Sequence, residues 1–160
     1  MLRRLVVSGY LVLKWLHVLT AAYLVGSIVT EFMIRTWAAR AAEPAVRRFA
    51  WDFLVRAEER IAIPGALILL ASGLLMVYGP WSGGWSLTGD LWVLLGLVGF
   101  LVLLVMLAGV AGSAAKRALA AHTAGDAAAA APHERRYSVL LASGFVLAAG
   151  VVWLMVVKPF

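Results

Sequence analysis

Cysteine is absent from this chain of 160 residues, which excludes disulfides, thiolate metal sites and iron–sulfur clusters. Any metal chemistry therefore falls to histidine, methionine or carboxylates. Charge is scarce as well: Lys, Arg, Asp and Glu make up 14% of the residues, against 64% hydrophobic ones. A soluble domain cannot bury that much apolar side chain, so the composition places the chain among integral membrane proteins. No Gly-rich phosphate loop, HExxH pair or Ser/His/Asp arrangement is present, which sets the chemistry of soluble enzymes aside. Histidine is rarer still. Of the three, His122 and His133 lie in a polar, alanine-rich connection, and only His17 falls inside an apolar segment.

What the chain does contain is four apolar runs. They predict spans at about 10–36, 61–78, 90–115 and 137–157, the first of them, at about 1.5 Å per residue, more than long enough to cross a hydrocarbon core of about 30 Å. The fold class expected is all-α: a single-domain integral membrane four-helix bundle over residues 1–160, with an extra interfacial amphipathic helix. That helix begins near Pro44, where Val46, Phe49, Ala50, Phe53 and Leu54 recur at helical spacing and arginines occupy the rest of the wheel. Pro64 marks the start of the second span, and the loop GPWSGGWSLTGD is anchored at headgroup level by its tryptophans. The tract 116–136 is low in complexity and reads as a linker without function. The first run lacks a small-residue cleavage pattern and is read as a retained span.

The net charge of +6 sits in loops, so the partner it implies is the lipid bilayer and not nucleic acid. Arg35, Arg40, Arg47, Arg48, Arg56, Arg60, Lys116, Arg117, Arg135 and Arg136 share one side. Only Arg3, Arg4, Lys14 and Lys158 share the other. The arginine-rich side is expected to face the cytoplasm, with both termini outward.

Ionisable groups within an apolar run are costly unless they face protein, water or a ligand, which singles out Lys14, His17 and Glu31. Their spacing predicts one polar stripe along the first helix. Ala22, Gly26 and Thr30 form a small-residue strip that suits close approach by another helix. A membrane histidine suits haem or metal ligation, a proton relay or a structural hydrogen bond, and the residues alone leave these open. A second axial ligand would come from Met33, Met76, Met106 or Met155, a loop histidine, or His17 of a second subunit. Arg56 and Arg60, with Glu58 and Glu59, form a charged rim that could meet haem propionates or lipid phosphate, and Trp15 could line a cofactor pocket beside His17.

LKWLHVLTAAYLVGS at 13–27, RIAIPGALILLASGLLMVYG at 60–79, SLTGDLWVLL at 86–95 and the terminal LMVVKPF resemble a bacterial family of predicted integral membrane proteins of unknown function. That family is itself distantly similar to HemJ-type protoporphyrinogen oxidases and to CopD-like membrane domains. The resemblance implies a multi-pass protein of the bacterial inner membrane and makes His17 a haem b ligand. Arg56, Arg60 and Pro64 match the arginine-rich approach and proline before the relatives' second span. The chain departs from them at Leu94 and Leu95, where they carry a lysine after the tryptophan. It also has Met106 where they carry a later histidine, and it lacks the asparagine–glutamate pair of their last helix. These departures argue against protoporphyrinogen oxidation and leave haem binding open. The expectation is therefore a haem b protein for electron transfer, a homo-oligomer or a subunit of a membrane complex. The alternatives are a cofactor-free accessory subunit and a copper-handling or small-solute permease.

Overall fold

The computed structural model describes residues 2–82 and 84–158, and the side chains from Gly9 onward with the same gap. The Arg3 and Arg4 side chains and Pro159 lie outside that description. Four long helices account for nearly all of it: α1 (Leu2–Arg40), α2 (Pro44–Tyr78), α3 (Leu91–Thr123) and α4 (Ala127–Val157). No strand occurs among the described residues. Each helix is long and apolar enough to cross a membrane. At 31 residues the shortest, α4, reaches about 46 Å, so all four run past a hydrocarbon core of about 30 Å into the headgroup zone.

Two of the expected boundaries change. The amphipathic segment from Pro44 is no separate interfacial helix: it continues into the second span through a π-helical stretch, Glu58–Ala62. There the Ile63 N–H donates to the Glu58 carbonyl five residues back, and the wider turn accommodates Pro64, which has no N–H to give and would crowd a carbonyl in a regular α-turn. A second π-helical stretch, Val105–Ala111, interrupts α3, and Gly112 N–H reaches Leu107. The expected linker at 116–136 is helical except for the turn 124–126. Alanine is the strongest helix former, and Asp126 caps α4 by accepting from Ala129 N–H at 2.9 Å.

Turns of three residues at 41–43 and 124–126 pair α1 with α2 and α3 with α4 at what is here called the basic end, while the tryptophan loop joins the two hairpins at the other end. The hairpins interlock mainly at the basic end. There the first part of α2 packs on the last part of α3, and a single buried cluster holds Trp51, Leu54 and Val55 of α2, Ala111, Ala114, Ala115 and Ala118 of α3, and Tyr137 and Leu141 of α4. The division of sizes is complementary: the α3 members, Leu103 apart, are alanines at 0–2% exposure, and Trp51 at 2% occupies the room they leave. Toward the tryptophan loop, Ile63–Tyr78 packs chiefly on α1, and α3 packs on α4 where Val151 and Met155 lie across Gly99 and Gly96. Large apolar side chains such as Val12, Val98, Val146 and Val156 are exposed, as lipid-facing residues are.

The loop itself is clamped. Trp85 and Trp92 meet edge to face at 5.0 Å, and the Lys158 ammonium lies 4.2 Å and 4.8 Å from their ring centroids. Lys158 takes a left-handed conformation, φ 48°, to turn back onto them.

Truncating the buried indole should be far more costly than truncating an exposed one. Trp51→Ala is expected to lose about 3–5 kcal/mol of stability, and Trp15→Ala, with Trp15 65% exposed, to stay within about 0.5 kcal/mol, as read by denaturant titration in detergent micelles.

Candidate functional site

His17 is half-buried and faces the second half of α2. Its Nδ1 lies 3.1 Å from the Leu69 carbonyl oxygen and 3.0 Å from Ser72 Oγ, and the Ser72 hydroxyl donates to the same carbonyl at 3.0 Å. A carbonyl only accepts, which argues for the tautomer with the proton on Nδ1. Nε2 then presents its lone pair. It makes no hydrogen bond among the described residues, and it is not among the buried unpartnered atoms. The imidazole lies against Gly73, where an added Cβ would come 3.0 Å from Cε1, so the glycine is what lets the ring settle between the helices. Ser72 is 2% exposed, the one polar residue that the bundle buries so fully among the described residues.

The expected companions of His17 do not assemble around it. Lys14 and Trp15 are exposed, Trp15 at 65%, so Trp15 lines no pocket within the chain. Arg56 and Arg60 are exposed at the basic end of α2, twelve and more residues before Ser72, and Arg56 pairs with Asp52 at 2.8 Å. Met106 lies in the π-helical stretch of α3 and packs against the buried cluster. Met155 lies against Gly96, and Met33 is exposed. Met76, half-buried, follows Ser72 by one turn on the same helix. Among the described residues no three His, Asp or Glu side chains converge as a metal site.

Glu31 belongs to a different group. The predicted stripe divides: His17 turns to α2, whereas Glu31 turns to α4 and accepts from the Tyr137 hydroxyl at 3.0 Å. The Tyr137 ring meets Trp51 edge to face at 5.3 Å. Glu58, at the start of the first π-helical stretch, lies over Gly112 at the end of the second. An added Cβ there would sit 2.6 Å from Glu58 Oε1. Glu58 is also within the electrostatic reach of Glu31 and Lys116, and Lys116 pairs with Glu59 at 2.7 Å. All four helices thus contribute a polar group to one layer near the basic end, where the apolar runs of α2 and α4 begin. Below it His122, its side chain 6% exposed, is 2.6 Å from Glu134 across the α3–α4 hairpin and stacks on Trp51 at 6.4 Å.

Sequence reasoning missed Leu69, Ser72, Tyr137 and the His122–Glu134 pair. A lone serine in an uncharged span signalled the first two. The histidine pair could be found only by reading 116–136 as two helices. Tyr137→Phe keeps the ring against Trp51 but strips Glu31 of its donor. It is expected to destabilise the bundle by about 1–2 kcal/mol, and the loss should largely disappear in the background of Glu31→Leu, as a double-mutant cycle in micelles would show.

The family described as "Predicted integral membrane protein (DUF2269)" matches residues 11–159. No curated protein and no solved structure matches the chain. The match takes in all four helices, from the polar segment of α1 to the lysine that closes the tryptophan loop, and on that extent the chain belongs to this family of predicted integral membrane proteins.

Proposed function

We propose that the protein binds haem b, with His17 as an axial ligand, and serves electron transfer within the membrane. One observation supports this most: Nδ1 is engaged by the Leu69 carbonyl while Nε2 has no partner among the described residues and is accessible. That division of labour is what a ligating imidazole needs, because the bond at Nδ1 fixes tautomer and ring orientation and raises the basicity of Nε2. His17 would hold the group, and a second ligand would come from Met76 on α2 or from His17 of a second copy, the latter in keeping with an oligomer. Bound haem would supply reversible one-electron chemistry at its iron. The chain's own part is to hold the imidazole through Leu69 and Ser72 and to give it room at Gly73.

The second reading, a cofactor-free accessory subunit, draws on the small-residue strip. Ala22, Gly26 and Thr30 are exposed, and neither Gly26 nor Gly109 has a non-neighbouring side chain within 4 Å of an added Cβ. Gly96, Gly99 and Gly112 are consumed by packing inside the chain.

Pyridine haemochrome analysis and a reduced-minus-oxidised spectrum, on detergent-purified protein made with ample haem, should show a b-type signal that His17→Ala abolishes. No signal in the unaltered protein removes the first reading. Gly26→Leu should leave the folded chain intact and reduce its association with itself or a partner, measured by size-exclusion chromatography with light scattering. Gly112→Leu should instead impair folding, because it drives a side chain into Glu58.

A further inference from the structure

The corner between α1 and α2 carries a groove of about 320 Å³, lined by Ile34, Trp37 and Ala38 of α1 and by Val46, Phe49, Ala50 and Phe53 of α2. Every lining side chain is apolar. Several are wide open: Phe49 is 70% exposed and Trp37 61%. The amphipathic segment of α2 thus has two apolar faces. Trp51, Leu54 and Val55 face α3 and α4, while Val46, Phe49 and Phe53 are exposed along the groove. The groove also continues a lipid-facing row of α1, in which exposed Val29, Met33 and Trp37 follow at intervals of four.

The stretch of chain that forms the groove is also strongly basic. Between residues 35 and 48 stand Arg35, Arg40, Arg47 and Arg48 against a single carboxylate, Glu43. None of these arginines is ion-paired among the described residues. Arg47 Nε donates to the Ala41 carbonyl at 2.8 Å, which ties its stem across the turn, and Arg35 Nε is shut in without any partner. An apolar slot that opens along the lipid-facing surface, built from the same stretch of chain that carries the exposed Arg40 and Arg48 without an ion pair among the described residues, matches one ligand chemistry: an acyl chain with an anionic headgroup.

We propose that this corner is a binding site for an anionic phospholipid, one acyl chain lying in the groove between Trp37 and Phe49 and the headgroup phosphate meeting the arginines of the α1–α2 turn. A zwitterionic lipid offers the same chain, but its headgroup carries its own cation and gains less from the exposed Arg40 and Arg48. The proposal is independent of His17 and of any haem.

Native mass spectrometry of the delipidated full chain in micelles, titrated with dioleoylphosphatidylglycerol or dioleoylphosphatidylcholine, tests it. The phosphatidylglycerol adduct should form first and resist collisional release. Arg40→Gln with Arg48→Gln should weaken it roughly 25-fold, each arginine at an anionic surface contributing about fivefold. Phe49→Glu, at a side chain so exposed that the fold does not depend on it, should abolish the adduct while leaving thermal stability unchanged. Equal adducts with both lipids would overturn the anionic selectivity. Unaltered phosphatidylglycerol binding by both variants would overturn the location, and a groove closed by a second copy of the chain would overturn the lipid assignment, appearing in the same spectra as a lipid-free dimer that Phe49→Glu dissociates.

Discussion

The Tyr137 side chain is the tie on which the rest of the bundle depends. Its hydroxyl reaches Glu31 on α1, its ring edge meets Trp51 on α2, and it shares a buried cluster with the alanines of α3. Lipid tails are as apolar as leucine, so the hydrophobic effect does little to hold transmembrane helices to one another. Close approach at small residues and a few directional bonds must do it. Here those devices are concentrated near one end, where the apolar runs give way to charge and water can once more drive burial. Ala114, Ala115 and Ala118 bring α3 near enough to α2 for Trp51 to be enclosed, and the Glu31–Tyr137 bond joins the first helix to the last.

The two halves of the molecule therefore rest on different physics. At the basic end the interior is dense and three polar pairs join different helices: Glu31 with Tyr137, Glu59 with Lys116, His122 with Glu134. At the tryptophan-loop end the helices meet in pairs, and lipid supplies much of what a core would otherwise provide. His17 belongs to that second half. It is fixed to α2 through Leu69 and Ser72 and by the absence of a side chain at Gly73, while its other ring nitrogen has no hydrogen bond among the described residues. A partnered layer that stabilises and a histidine with a spare lone pair are different kinds of polar group, although both interrupt apolar helices.

Hydropathy makes the four spans legible, because an uninterrupted apolar run of about twenty residues is the length that a bilayer demands and that a soluble fold rarely needs. The helix ends are not legible in the same way, since helices that outrun the bilayer continue through sequence that looks like a loop. Low complexity suggests a linker at residues 116–136, yet the alanines that lower the complexity also favour helix. Arg47, Arg48, Asp52 and Arg56 suggest a solvated face and hence a helix lying flat at Pro44–Ala57. What stands that segment upright is Trp51 and Val55, which need the alanines of α3 to be buried. His17 and Glu31 stand out as polar groups in an apolar run. Their partners do not, because Leu69 contributes only a backbone carbonyl and Tyr137 is 106 positions from Glu31. The family match, residues 11–159, is consistent with the resemblance carried by the first helix and the closing VKPF.

The three connections are unequal, two of three residues at the basic end and one long loop at the other, and this has a consequence for the order in which the molecule is completed. A chain emerging from the ribosome makes the α1–α2 hairpin first, and that hairpin already contains its own fastening in His17, Leu69 and Ser72. The layer at the basic end has no such independence. Glu31 and the Trp51 ring edge wait for Tyr137, which arrives with the final helix. Until then the half-built protein carries an unpartnered carboxylate and an uncovered indole near the membrane surface, the features by which quality-control machinery distinguishes an unfinished membrane protein from a finished one.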